Sequence, residues 1–292
     1  MTPGPLVIKL GGRALDHSNN TSQLWDAIAS LALRASATSN STADNPAHGV
    51  ALVHGGGSEV DTHLARLGMT TTRNNGLRVT PDDQIDEVVA VLRGRVNTRL
   101  VGHLQSRGVP AVGLGLSDGA TCVCAKHEPD GVDLGRVGTV AWKQHQQPSP
   151  ETGSLWRDLL AGGRVPVLCS IGLDAMGKPL NVNADDAAAA VAGILHAHML
   201  VLLTDVPGIL DRTGTPIQEA EKDSIETLIA DGTIAGGMIP KARAAVAAAE
   251  SSGVPTVIAS WKHPEHLAAL AGNTHVGTRV LPVRRRPVGT SA

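Results

Sequence analysis

Short apolar segments recur along the chain, and segments with helical character separate them. Leu6–Leu10, Val50–Val53 and Met199–Leu203 are nearly continuous apolar runs, which are typical of strands buried on both faces. Ser22–Ser36 and about Gly237 to Ser252 are predicted helices. Because strands alternate with helices, we predict an α/β fold with a mainly parallel central sheet that helices cover.

Turn and cap residues predict where further elements begin and end. Asn75-Gly76 is typical of a hairpin turn. Thr80-Pro81-Asp82-Asp83 predicts a helix that has Thr80 as its N-cap and ends near Ser106. Asn183 is expected to cap an alanine-rich helix that ends near Leu195. Other predictions are a helix from the end of the second strand to about Leu67, strands within 111–142, at Val165–Ser170 and at Thr256–Ala259, a hairpin over Leu173–Leu180, and helices at about 150–161 and Asp223–Asp231.

Composition excludes several classes of protein. Apolar residues make up 42% of the 292 residues and the net charge is −2, which fits a globular protein that does not bind nucleic acid. No apolar run is long enough to span a bilayer and no signal-peptide pattern is present, so we expect a cytoplasmic protein without membrane contact. Three cysteines without zinc spacing argue against a disulfide framework and a structural metal, and Cys122 and Cys124 are expected to fill one face of a strand.

The aromatic content is unusual, with four Trp, no Phe and no Tyr. The core must therefore be built from Leu, Val, Ile and Ala, and base stacking on Phe or Tyr is excluded. Two polar segments, the loop at 37–49 and the arginine-rich tail at 282–292, are expected to be mobile and disordered respectively.

Glycines accompany lysine or a helix start at three places that could bind phosphate. Lys9-Leu10-Gly11-Gly12 ends the first predicted strand, where ligands of open α/β sheets bind. His54-Gly55-Gly56-Gly57 lies between a strand and a helix and offers bare backbone N–H groups, although neither Walker nor G-x-G-x-x-G spacing is present. The third place is Gly236–Lys241, which opens a helix. Each alone also fits a tight turn or an exposed lysine, and we assign His54 no catalytic role.

Other polar motifs follow strands or turns. Arg78, just past the hairpin turn, could bind a carboxylate through two hydrogen bonds. Asn181 and Asn183 share one side of an extended segment, and Asp185 falls in the first turn of the next helix, where it could merely complement the helix dipole. Thr204–Gly208 forms a loop at a strand end where a nucleotide could lie.

Taken in order, these motifs resemble the N-acetylglutamate kinases of the amino acid kinase family from about residue 5 to residue 281. The stretches that carry the resemblance are VIKLGG, LVHGGG, NGLRVTPDDQID, NVNADDAAAA, LLTDVPGIL, GGMIPKARAA and ASWKHPE. NGLRVTP is the most informative, because it resembles the acetylglutamate branch in particular. The resemblance implies phosphorylation of the γ-carboxylate of N-acetyl-L-glutamate by ATP in arginine biosynthesis. It also implies a three-layer αβα sandwich, with an acceptor and dimerisation lobe at 1–180 and an ATP lobe at 181–292 on one continuous sheet.

The resemblance further implies roles for individual residues. Lys9 and Lys241 would stabilise the transferring phosphoryl group, and Asp185 would hold both lysines. The residues that would contact the acceptor are Gly56, Gly57, Arg78, Asn181 and Asn183. Those that would contact ATP are Gly12, Asp205, Val206, Pro207, Gly208, Ile209, Leu210, Thr233, Ile234 and Ala235. Mg²⁺ would be carried by the nucleotide, without a dedicated protein site.

Alternatives remain open for both activity and assembly. A related kinase could phosphorylate carbamate, aspartate, glutamate or a carrier-bound aminoadipate, and a binding protein or engineered variant could have impaired catalysis. Arginine-inhibited relatives carry an extra helix before the first strand, and only Met1 to Gly4 precede that strand here. We therefore expect a homodimer that L-arginine does not inhibit, with the helix from Thr80 to Ser106 at its interface.

Overall fold

A computed structural model of the chain describes residues 4–15, 21–37, 49–142, 149, 151–271 and 276–283. Most of the predicted polar loop, 38–48, and the tail from 284 onward lie outside the described residues.

One large sheet organises the described part of the chain. Its eight strands lie in the order β12-β14-β13-β11-β1-β2-β8-β5. All neighbours pair in parallel except β13 and β14, which are antiparallel. A second sheet has the order β6-β7-β10-β9, and β3 and β4 form a separate hairpin. The strands are β1 (Leu6–Leu10), β2 (Val50–His54), β3 (Thr72–Asn74), β4 (Leu77–Val79), β5 (Ala111–Leu114), β6 (Cys124–Lys126), β7 (Val137–Val140), β8 (Val165–Cys169), β9 (Ile171–Leu173), β10 (Pro179–Val182), β11 (Met199–Thr204), β12 (Glu219–Ala220), β13 (Thr256–Ser260) and β14 (Thr278–Val280).

Helices cover both faces of the large sheet, so the predicted αβα sandwich is confirmed. On β1, Leu6, Ile8 and Leu10 join the core beneath α1, α2, α4 and α9, whereas Val7 joins the core beneath α5, α6, α7 and α8. This alternation follows from the two-residue period of a strand. The helices are α1 (Ser22–Ala37), α2 (Gly57–Arg66), α3 (Ile85–Val89), α4 (Asn97–Gln105), α5 (Ser154–Ala161), α6 (Ala184–Ile194), α7 (Lys222–Ala230), α8 (Met238–Ser252) and α9 (Glu265–Ala271).

The helix predicted from Thr80 begins later than expected. Thr80 pairs with Gly135 in an isolated β-bridge, and its Oγ1 accepts a hydrogen bond from Asn181 Nδ2 at 3.1 Å. Because that oxygen serves Asn181, Thr80 does not cap the helix, which begins at Ile85. A π-helical stretch, Ala90–Val96, joins α3 to α4, so the helical segment is continuous to Gln105.

Most other predicted elements are confirmed within a few residues. Asn75 and Gly76 have positive φ angles of 47° and 86°, as the predicted hairpin turn requires. Cys122 and Cys124 are buried free thiols, although only Cys124 lies on a strand. The sequence did not indicate three short elements, namely β12, β14 and α9.

The two predicted lobes meet within the large sheet, where β1 pairs with β11. Strands β1, β2, β5 and β8 come from residues 1–180, and strands β11 to β14 come from residues 181–292. The division of labour between these lobes stays a prediction.

Two leucines of α1 test the layer arrangement. Leu31 is 3% exposed beneath the sheet, whereas Leu33 on the same helix is 42% exposed. Leu31→Ala should lower the free energy of unfolding by about 2–5 kcal/mol, because it removes buried methyl groups and leaves a cavity. Leu33→Ala should change it by less than about 1 kcal/mol. Urea unfolding measures both, and equal losses would contradict the arrangement.

Candidate active site

Parallel pairing brings the first two glycine motifs to one edge of the sheet. Leu10 pairs with His54 of β2 on one side and with Leu203 of β11 on the other. The glycines that follow Leu10 and His54 therefore lie side by side, and the Gly55 N–H donates to the Leu10 carbonyl at 3.2 Å.

Lys9 forms an ion pair with Asp185 at this edge. The Lys9 ammonium lies 2.8 Å from Asp185 Oδ1, and the Lys9 side chain is 15% exposed. A Cβ on Gly11 would lie 2.7 Å from Lys9 Nζ, so a side chain at position 11 would displace the ammonium. Asp185 lies in the first turn of α6, whose N-cap is Asn183 as predicted. The Asn183 Oδ1 accepts hydrogen bonds from the backbone N–H groups of Asp185 and Asp186 at 2.8 and 3.2 Å.

Lys241, on α8, lines a cavity at this edge together with Lys9 but has a different partner. Its ammonium lies 2.5 Å from Asp205 Oδ1, so Asp205 and not Asp185 binds Lys241 in this structure. The cavity has a volume of about 300 Å³. Its lining combines the two ion pairs with glycine and apolar side chains: Lys9, Gly11, Gly12, Asp185, Leu202, Leu203, Thr204, Asp205, Lys241, Ala244, Ile258 and Trp261. Two cations beside an apolar wall suit a ligand with phosphates and an apolar ring.

A second, smaller cavity of about 140 Å³ lies beyond the glycines of β2. All five predicted acceptor residues line it, namely Gly56, Gly57, Arg78, Asn181 and Asn183. Ala184 lines this cavity while the next residue, Asp185, lines the first, so the two cavities are neighbours at the start of α6. Gly56 has a φ of 157°, and a Cβ there would lie 2.8 Å from Leu92, so the turn requires glycine.

Arg78 is a buried cation fixed in the wall of the second cavity. Its side chain is 7% exposed; Nη1 binds Asp61 and Nη2 donates to the Gly57 carbonyl at 2.8 Å. Asp61 also binds Arg73 at 2.9 Å. Burial works to raise the pKa of Asp61, but the hydrogen bonds and charges of Arg78 and Arg73 outweigh it and hold that pKa below its usual value. One carboxylate thus serves two arginines, and the cavity wall keeps a surplus of positive charge.

His54 is buried behind the glycines and has both ring nitrogens occupied. Nδ1 donates to the Gly55 carbonyl at 2.8 Å, and Nε2 accepts from Asn97 Nδ2 at 3.0 Å. Burial, the largest cause, lowers the pKa of His54 from 6.5 to about 4; the hydrogen bond to Gly55 opposes this shift and the charge of Arg99 adds to it. The ring is therefore neutral at physiological pH, which fits its predicted lack of a catalytic role.

Comparison with known proteins identifies the family of the chain. The family model described as "Amino acid kinase family" matches residues 4–260. The chain belongs to the amino acid kinase family. It is 42% identical over 278 residues to acetylglutamate kinase of Vibrio cholerae, which covers 95% of this chain and 97% of the relative. It is 40% identical to acetylglutamate kinase of Yersinia pestis over 94% of this chain and 98% of that protein. The solved structure of smu.665 from Streptococcus mutans is similar with a TM-score of 0.70, 26% identity and coverage of 95% and 98%.

Only some of the residues predicted to contact ATP line the first cavity of this amino acid kinase. Gly12 and Asp205 line it, whereas Val206, Pro207, Gly208 and Leu210 do not, and Ile209 is fully buried in the core. Thr233, Ile234 and Ala235 also lie outside the lining, and Ile234 is buried. Arg212 ties the two segments together, since it donates to Thr233 Oγ1 at 2.9 Å and to the Asp231 carbonyl at 2.8 Å. A nucleotide role for these residues stays a prediction.

The kinase cavities also contain residues to which the sequence gave no role. Arg73 and Trp261 are examples, and Trp261 is the only Trp among the residues that line either cavity. Trp261 lies in ASWKHPE, a stretch that carried the family resemblance, so the signal for it was present. Within the described ranges, no cluster of three or more His, Cys, Asp or Glu is placed to hold a metal. No helix of those ranges is long and apolar enough to cross a membrane.

The pKa of His54 makes the stability of this kinase depend on pH. Below about pH 6.5 the unfolded state binds a proton at His54 that the folded state refuses until about pH 4. The contribution of His54 to the free energy of unfolding is therefore complete above pH 6.5. It falls by about 3 kcal/mol in all as the pH drops toward 4. His54→Gln removes this titration, so the stability advantage of the wild type over the variant should shrink between about pH 7.5 and 5.

Urea unfolding at several pH values measures that difference directly. Leu33→Ala, which changes an exposed residue without a titratable group, is the control and should give a difference that varies little with pH. An advantage of the wild type over His54→Gln that stays constant across this range would contradict the buried neutral state.

Proposed function

We propose that this chain transfers the γ-phosphoryl group of ATP to the γ-carboxylate of N-acetyl-L-glutamate, a step of arginine biosynthesis. The observation that carries the proposal is the pair of neighbouring cavities. One presents Arg78, Asn181 and bare glycine N–H groups, and the other presents Lys9 and Lys241. The similarity to acetylglutamate kinases over 95% of the chain supports this choice of acceptor.

The reaction needs charge neutralisation and does not need a base. A γ-carboxylate has a pKa near about 4.3, so it is ionised at neutral pH and can attack phosphorus directly. A carboxylate oxygen forms the new bond to the γ-phosphorus, the bond to the β,γ-bridging oxygen breaks, and its electron pair leaves with ADP. No proton moves. Two anions must approach each other, and Lys9 and Lys241 offset the repulsion while the glycine N–H groups orient the phosphates.

The remaining residues bind and orient the substrates. Arg78 has donors beyond those that Asp61 and Gly57 use, and these can bind the acceptor carboxylate that does not react. In the ligand-free state Asp185 and Asp205 neutralise the two lysines, which the phosphates take over. Mg²⁺ would supply further charge neutralisation, and carboxylate oxygens are ligands that it prefers. We propose that ATP carries it, because the described residues hold no cluster of three or more side chains placed to bind a metal.

The homodimer, its interface on the helix predicted from Thr80 to Ser106, its insensitivity to L-arginine and its cytoplasmic location stay predictions.

Purified protein with Mg-ATP and N-acetyl-L-glutamate should release ADP and form an acyl phosphate that hydroxylamine traps as a hydroxamate. Glutamate should be a much poorer acceptor, because it brings an ammonium toward a cavity wall that is already positive. Chelation of Mg²⁺ should abolish turnover. The assignment would fail if aspartate, carbamate or unacetylated glutamate were phosphorylated as fast as N-acetyl-L-glutamate.

Alanine variants separate catalysis from binding. Lys9→Ala and Lys241→Ala should mainly lower kcat, by on the order of 10²-fold or more, because their charges matter most in the transition state. Arg78→Ala should mainly raise KM for the acceptor, since Arg78 holds the carboxylate that does not react. Steady-state kinetics with both substrates varied measures these effects. An unchanged acceptor KM in Arg78→Ala would show that its assigned role is wrong.

A further inference from the structure

Arg99 on α4 binds two parts of the chain that are far apart in sequence. Its Nη1 donates to Glu59 Oε2 at 3.1 Å, and its Nη2 donates to Glu59 Oε1 and to the Leu15 carbonyl, the latter at 3.0 Å. The Arg99 and Glu59 side chains are only 17% and 14% exposed. A guanidinium with this bidentate contact and little water around it is held in one orientation.

Each of the two partners of Arg99 follows a glycine loop of the active site. These two glycine loops are residues 11–12 after β1 and residues 55–57 after β2. Leu15 ends the short 3-10 turn, Gly12–Leu15, that directly follows Lys9 and Gly11. Glu59 lies in the first turn of α2, which begins at Gly57. Gly12 lines the first cavity, which contains Lys9 and Lys241, and Gly57 lines the second cavity, which contains Arg78. One side chain therefore joins the loop beside the phosphates to the loop beside the acceptor.

Helix α4 supports the same region through a second residue. Asn97 Nδ2 donates to His54 Nε2 and to the Val167 carbonyl at 2.8 Å, which fixes the residue just before Gly55. The β-ladder between the two strands ends at the pair Leu10 and His54, and the Gly55 N–H donates one further hydrogen bond to the Leu10 carbonyl at 3.2 Å. Beyond that point, side-chain contacts such as those of Arg99 contribute to the spacing between the loops.

We propose that Arg99 is a positioning residue for phosphoryl transfer, which sets the spacing between the two glycine loops and so between the acceptor carboxylate and the γ-phosphorus. In-line transfer is sensitive to this distance, and a displacement of about 1 Å can cost about 10²-fold in rate. Each substrate is bound by groups within its own cavity, so spacing affects their reaction more than their separate binding. The kinetic part of this inference rests on the proposed function.

Arg99→Gln tests the inference, and Arg107→Gln is its matched control. Arg107 also holds a carboxylate and backbone carbonyls, with Nε 2.6 Å from Asp26 Oδ1 and Nη2 3.4 Å from the Ser22 carbonyl, and it contacts neither glycine loop. Arg99→Lys keeps the charge with a single ammonium in place of the fork and serves if Arg99→Gln fails to fold. The measurements are kcat, calorimetric Kd values for N-acetyl-L-glutamate and for a non-hydrolysable ATP analogue separately, and hydrogen exchange by mass spectrometry.

The expected result for the Arg99 variants is a fall in kcat of about 10- to 100-fold, with both Kd values within about threefold of wild type. Exchange should be faster in the segments 11–15 and 55–60, and Arg107→Gln should show neither change. The inference is overturned if kcat stays at the control's level, if the loss lies wholly in the Kd values, or if kcat falls without faster exchange. If the wild type does not phosphorylate N-acetyl-L-glutamate, the proposed function fails, and unchanged exchange in both segments still overturns the inference.

Discussion

The parallel register of β1 between β2 and β11 is the constraint on which the active site depends. Because parallel strands end at the same edge, Lys9, the glycines after His54 and the loop after Thr204 emerge together. The alanine-rich helix α6 packs beneath these strands, and its first turn places Asp185 within 2.8 Å of Lys9. An antiparallel neighbour at β1 would send one of these groups to the opposite edge, and the paired cavities would not form.

Ion pairs within the protein hold the cations that we propose to bind the substrates. Lys9, Lys241 and Arg78 each have a carboxylate partner, namely Asp185, Asp205 and Asp61. These pairs avoid the cost of unpaired charge in a partly buried cavity. Phosphates and a substrate carboxylate are stronger or additional partners for the same cations. Under the proposed function, the site would exchange internal ion pairs for substrate contacts, with little need to create new charge.

The sequence predicted local features well and long-range pairings poorly. Strand β1, the Asn75-Gly76 turn and the Asn183 cap follow from apolar runs, positive φ requirements and side-chain chemistry within a few residues. The predicted start of α3 was wrong because the Thr80 hydroxyl accepts a tertiary hydrogen bond from Asn181, and no local sequence pattern indicates such a contact. The roles given to individual residues came from family resemblance. The resemblance implied that Asp185 holds Lys241, whereas the partner of Lys241 in the structure is Asp205. No local sequence pattern connects Arg99 to Glu59 and Leu15. Such pairings depend on how helices and strands pack against each other, and the hydrophobic periodicity of a sequence does not indicate that packing.

The proposed function places phosphoryl transfer between the two neighbouring cavities, beside Lys9 and Lys241. A structure of the chain with ADP, aluminium fluoride, Mg²⁺ and N-acetyl-L-glutamate tests this most directly, because the fluoride complex mimics the transferring phosphoryl group. We expect aluminium between the γ-carboxylate and the ADP β-phosphate, with both lysine ammonium groups bound to its fluoride ligands and the other acceptor carboxylate bound to Arg78. Aluminium fluoride bound away from the two lysines, or the acceptor bound outside the cavity of Arg78 and Asn181, would contradict it.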